Sequence, residues 1–148
     1  MESGRFTSMR IMTALLAGAV LVSAAAPALA DVRSTRAERG AVKLAAMLEG
    51  RVAGKPVDCI DQRRIQSSDI IDGQAIVYKM PGGKLYVNEP RSGKASLDRD
   101  DVLVTKTHSD QLCSIDIVRL YDRTAHFESG FVGLGKFVPY EKVAKAGE

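Results

Sequence analysis

Residues 70–88, IIDGQAIVYKMPGGKLYVN, decide the fold class. Asp72-Gly73 is a strong two-residue hairpin signal, because both residue types tolerate positive φ, and Pro81-Gly82-Gly83 reads as a three-residue turn. Between and beside these breakers the side chains alternate. Ile76, Tyr78 and Met80 interleave with Val77 and Lys79, while Leu85 and Val87 interleave with Lys84, Tyr86 and Asn88. A period of two belongs to strands, so the stretch predicts an antiparallel meander with one face turned inward.

Working outward, the same pattern predicts strands at 64–71, 74–80, 84–88, 102–107, 115–121 and 131–140. The polar segment 89–101, with Pro90 and Gly93, forms the longest loop. Glycine at alternate positions in Phe131-Val132-Gly133-Leu134-Gly135-Lys136-Phe137 lets a strand bend sharply or lets another backbone approach. About six short strands with such a bend predict a mainly β fold, a small antiparallel barrel or rolled sheet, since closure removes exposed edges. One amphipathic helix is predicted before it at 34–49, where Ala37, Ala41, Leu44, Ala45 and Leu48 share a face. Thr35 with Glu38 makes a capping box and Gly50 a stop. Arg36, Arg39 and Lys43 lie opposite, but Glu38 and Glu49 dilute their charge and the apolar face is shallow. The helix is therefore expected to pack on the domain rather than on a membrane surface.

Upstream of the helix the chain carries the three parts of an export signal. Arg5 and Arg10 outweigh Glu2, residues 11–22 form an apolar run that includes Thr13 and Gly18, and Ala28-Leu29-Ala30 matches the small-x-small cleavage pattern. Cleavage between Ala30 and Asp31 is expected. An apolar core of about a dozen residues falls short of the roughly 20 needed to span a bilayer. The domain plan is then a signal at 1–30, a helix and linker at 31–56, with Gly54-Lys55-Pro56 as breaker, and a single small β domain at 57–148. The expected location is periplasmic or secreted.

Loss of the signal removes two Arg and one Glu, so the net charge of +3 falls to +2, without blocks of one sign. Such a balance does not call for nucleic acid. The absence of Trp and the scarcity of other aromatics also argue against a stacking platform or an aromatic sugar cleft. No cofactor is expected, and no membrane insertion after cleavage. The two cysteines, Cys59 and Cys113, form an even count in an exported chain, which reads as a disulfide. It would close a loop of about 55 residues, worth about 4 kcal/mol in the chain-entropy account.

Residues with chemical potential resolve into ordinary ones. Asp98, Asp100 and Asp101 resemble the start of a Ca²⁺ loop, but Leu103 and Ser109 stand where that loop needs Gly and Glu. His108, Ser109 and Asp110 are triad residue types, yet sequence neighbours rarely face one another and no nucleophile elbow is present. His126 is the only other histidine, too few for a multi-histidine zinc site. Gly133-Leu134-Gly135-Lys136 lacks the spacer, the Ser or Thr and the helix of a phosphate loop. Arg63 and Arg64, near Asp61 and Asp69, read as solvated or ion-paired side chains. No catalytic, metal or cofactor residues are assigned.

Cys59-Ile60-Asp61 with Arg63-Arg64-Ile65, Ile71-Asp72, Leu85-Tyr86-Val87-Asn88, Gln111-Leu112-Cys113 and residues 133–140 together resemble a family of small exported proteobacterial proteins of unassigned function. The resemblance covers about Gly50 to Tyr140 and implies that both cysteines belong to a structural framework. It implies no activity. Some relatives carry a second cysteine pair; here Ser92 and Ala95 occupy the loop, and Phe131-Val132 precede Gly133. The leading functional expectation is a non-catalytic binding domain that meets another envelope protein. The alternatives are an inhibitor of a wall-degrading enzyme or protease, acting through loop 89–101, and a small hydrolase using His108 or His126.

Overall fold

A computed structural model describes residues 28–143 except residue 108, so the expected signal up to residue 27 lies outside the described residues. The fold is mainly β with one helix, as the alternation requires. It contains α1 (Ala28–Leu48) and ten strands: β1 (Arg51–Ala53), β2 (Cys59–Asp61), β3 (Ser67–Ile71), β4 (Ala75–Lys79), β5 (Leu85–Asn88), β6 (Asp101–Thr105), β7 (Gln111–Cys113), β8 (Ile117–Asp122), β9 (Phe127–Gly133) and β10 (Phe137–Lys142).

The meander forms as expected. β3 pairs with β4 and β4 with β5, both antiparallel. The β3–β4 connection has three residues rather than two, because Ile71 faces Ala75 and the Gln74 N–H closes on the Ile71 carbonyl at 2.9 Å. Met80 N–H to Lys84 O, at 2.9 Å, frames Pro81-Gly82-Gly83 as the predicted three-residue turn.

The strands form three sheets, ordered β1-β10-β5-β4-β3, β2-β7 and β6-β8-β9, and these do not close into a barrel. The expected single strand at 131–140 is divided between two of them. β9 ends at Gly133 and pairs with β8, while β10 starts at Phe137 and pairs with β5. The glycines explain the crossing: a Cβ on Gly135 would strike the Glu89 carbonyl, so only glycine lets the two backbones pass. Asn88, fully buried, locks the bend by donating from Nδ2 to Gly135 O (2.6 Å) and accepting from Gly135 N–H (3.1 Å). The strands β1, β2 and β7 are three residues each, too short to show a period in sequence.

The central five-stranded sheet is buried on both faces. On one, Ile70, Ile76, Tyr78, Met80 and Phe137 meet Val118, Leu120 and Val132 of the three-stranded sheet, with Ile60, Leu97, Leu112 and Leu134. On the other, Ile71, Ala75, Val77, Leu85 and Val87 meet Leu44, Met47 and Leu48 of α1. β4 thus reads as a continuous apolar run because both of its faces are covered.

α1 begins at Ala28, ahead of the expected Ser34, so Thr35 lies inside the helix and not at its cap. Ala30 and Asp31, the expected cleavage pair, fall in its first turn. The packed face is also rotated from the expected one. Gly40 is buried while Ala41 and Ala45 are exposed. At Gly40 the helix touches the β3–β4 connection so closely that a Cβ would strike the Asp72 carbonyl, and Gln74 Nε2 donates to Ala37 O at 2.8 Å.

The disulfide between Cys59 and Cys113 is present. It joins facing positions of β2 and β7, a small sheet of their own.

Candidate functional site

Two surfaces stand out, a polar cleft and an apolar sheet face. The cleft, of about 560 Å³, lies between α1, the β3–β4 connection, loop 89–101 and the three-stranded sheet. Its charges are matched internally. Arg36 pairs with Asp98, and its Nε lies 3.8 Å from Asp72. Asp72 is buried and accepts the Arg99 N–H at 2.8 Å. Asp98 accepts the Asp100 N–H at 2.9 Å, and buried Asp101 accepts from the Ser129 hydroxyl at 2.7 Å. The amides of Ala125 and then Thr124, with His126 nearby, hold the Asp122 carboxyl below the usual carboxylate range. These bonds latch helix, loop and sheet together. General acid–base catalysis needs a group that gives or takes a proton aimed at a substrate position, whereas Asp72, Asp98, Asp101 and Asp122 are each tied to donors of their own chain.

The residues singled out in sequence are dispersed accordingly. Asp98, Asp100 and Asp101 do not converge, and among the described residues no group of three His, Cys, Asp or Glu side chains could hold a metal ion. His108 lies outside the described residues. Ser109 Oγ accepts the Gln111 N–H at 3.3 Å within its own turn, and the Asp110 carboxylate turns to Arg63 at 3.1 Å. Asp61 caps the short turn that follows it by accepting the Arg63 N–H, and Asp69 pairs with Lys79 at 2.8 Å. His126 sits in the β8–β9 turn with left-handed backbone, its carbonyl accepting from the Tyr121 hydroxyl at 2.7 Å. Gly133-Leu134-Gly135-Lys136 is the crossing between sheets. Loop 89–101 is held down: Pro90 and Leu97 are buried, Arg91 N–H reaches Gly133 O at 2.9 Å, and Gly73 N–H reaches Leu97 O at 3.1 Å. Ser92 bridges to Gly133 through backbone hydrogen bonds.

Two buried side-chain oxygens lack a hydrogen-bond partner of good geometry among the described residues, Asp69 Oδ2, which is ion-paired with Lys79, and the Tyr78 hydroxyl, which has no charged neighbour of that kind. Burial pushes its phenol well above the usual range. Its ring packs at 5.8 Å from that of Phe137 inside the core, which makes it a core residue and not a reactive one.

The second surface is the outer face of the β6-β8-β9 sheet. Strand alternation sends Val118, Leu120 and Val132 inward, where they are fully buried, and sends their neighbours out. Antiparallel sheets with one face in water ordinarily carry polar residues there. Here Val104, Arg119 and Phe131 form one row across the strands, and Val102, Tyr121 and Glu128 the next. Ile117 lies beside them. Phe131 is 60 % exposed, Ile117 57 % and Val104 46 %. The polar exceptions, Arg119 and Glu128, pair with each other at 3.0 Å. The signal for this face was present in sequence as adjacent apolar pairs, Ile117-Val118 and Phe131-Val132, which in a strand place apolar groups on both sides. Asp72 and Asn88 were visible only as turn and strand residues.

Among the described residues no helix is long and apolar enough to cross a membrane. Comparison of the chain with protein-family models, with curated proteins and with solved structures finds no match.

Proposed function

We propose that this chain is an exported, non-catalytic binding domain of the bacterial envelope, of the small exported proteobacterial kind that its sequence resembles. The observation that carries the reading is the outer face of the β6-β8-β9 sheet, where large apolar side chains that could have been polar without cost to the core stand in water. Export is supported by the signal pattern ending at Ala30 and by the Cys59–Cys113 disulfide, a bond that persists in oxidising compartments. Binding rather than turnover is supported by the cleft, whose carboxylates are tied to internal donors.

The test is photo-cross-linking in the producing cell, with a benzophenone side chain placed at position 131 and, as control, at Val52, which is exposed on β1. A protein adduct at 131 and none at 52 is the expected outcome. No adduct at 131, or the same adducts at both positions, would overturn the reading.

A further inference from the structure

The outer face of the β6-β8-β9 sheet has the properties of a self-complementary surface, and we propose that its occupant is a second copy of this chain, packed face to face across a two-fold axis. The inference rests on the binding role given to that face.

Charge points to a like partner. The face carries one cation and one anion, Arg119 and Glu128, already 3.0 Å apart, so it selects neither an acidic nor a basic surface. A two-fold axis lying between the faces and running across the strands reverses each strand over its own copy. Arg119 and Tyr121 are two positions apart on β8, and Glu128 stands opposite Tyr121 on β9. With the axis over the intervening Leu120, Arg119 of one copy falls over Tyr121 and beside Glu128 of the other, and the reverse contact is generated by the same symmetry. A guanidinium over an aromatic ring and beside a carboxylate is favourable on both counts. The same operation sets Val102 over Val104 and Phe131 over Glu128 of the second copy.

Shape and area agree. Two sheets pack face to face at about 10 Å, the arrangement that the three-stranded sheet already adopts toward the central sheet on its inner side. Three strands roughly 4.8 Å apart, with about 3.3 Å per residue, make a face of roughly 15 by 20 Å. With side chains this exposes on the order of 500 Å² per copy, or about 1,000 Å² for the pair, the lower bound of a specific interface. A reversible dimer is therefore expected rather than a permanent one.

The experiment is sedimentation velocity on the purified protein, as recovered from the producing cell, from micromolar to millimolar concentration. The wild type is expected to pass from monomer to dimer. Val102→Lys and Val104→Lys should each raise the dissociation constant about thirtyfold or more, because each sets an unpaired charge against the facing valine of the second copy beside the axis, with melting temperature unchanged because both side chains are exposed. Val52→Lys, exposed on β1, should dimerise as the wild type does. If a lysine variant fails to fold, concentration-dependent amide shifts in the wild type, confined to β6, β8 and β9, give the same answer. A chain that stays monomeric, or a dimer that survives both lysine variants, overturns the proposal. A monomer that still forms adducts at position 131 in cells, or whose β8 and β9 amides shift with lipid vesicles, gives the face a different occupant. That outcome overturns the dimer while leaving the binding role of the face standing.

Discussion

The two faces of the central sheet are built from the same strands and held in different ways. β4 sends Ile76 and Tyr78 to one side and Ala75 and Val77 to the other, so alternation serves both cores equally. What covers them differs. The helix side is covered by Leu44, Met47 and Leu48, all partly buried and all from one helix. The opposite side collects Ile60, Leu97, Leu112, Val118, Leu120, Val132 and Leu134, spread over more than half the described chain and packed nearly dry. Contacts of long sequence separation bear a larger loop-closure cost. The Cys59–Cys113 bond lies on that side, joining β2 and β7, whose Ile60 and Leu112 enter this core. The core covered by one helix closes on packing alone, whereas the one gathered from several separate segments is assisted by a covalent tie.

The largest test of that contrast is the tie. Cys59→Ser with Cys113→Ser should cost about 4 kcal/mol, the chain-entropy value for a loop of this length. The melting temperature should fall by more than about ten degrees. Melting curves with and without reductant, with the free thiols counted by alkylation and mass spectrometry, check it. A fall of only a few degrees would mean that the core of separate segments closes without help.

Next comes a matched pair of truncations. Leu120→Ala, at a fully buried site, should cost about 3 to 4 kcal/mol, and Leu44→Ala, at a half-buried one, about 1 to 2 kcal/mol. Urea unfolding of both variants sharpens the comparison if the ratio holds. Equal losses would break it, because the helix side would then be packed as tightly as the other.

The smallest effect concerns how the helix docks. Replacing a helical glycine by alanine ordinarily stabilises by up to about 1 kcal/mol. Gly40→Ala should do the reverse, destabilising by about 1 to 2 kcal/mol, because the new methyl meets the Asp72 carbonyl and α1 must lift from the sheet. Chemical denaturation, with tryptic cleavage after Arg39 or Lys43 as a local reporter, reads both the sign and the place. A stabilised protein would show that α1 is free to shift.

Local chemistry made much of this fold legible in advance. Asp72-Gly73 and Pro81-Gly82-Gly83 mark both connections of the meander, period-two alternation marks seven of the ten strands at least in part, and an even cysteine count marks the disulfide. The alternate glycines of 133–135 read as a bend or a close approach, and they are both. Each of these signals lies within a few residues of the feature it specifies, where φ/ψ preference and side-chain direction act. The division of the strands into three sheets, the pairing of β10 with β5, the burial of Asp72 among Arg36 and Arg99 and the choice of Gly40 over Ala41 for the helix contact were settled elsewhere. They depend on which distant backbones come within hydrogen-bonding or van der Waals reach once the chain is closed. The candidate site belongs to both levels: the adjacent apolar pairs in β8 and β9 put hydrophobic groups on two faces, and only the packing of the inner face against the central sheet decided which of the two was left in water.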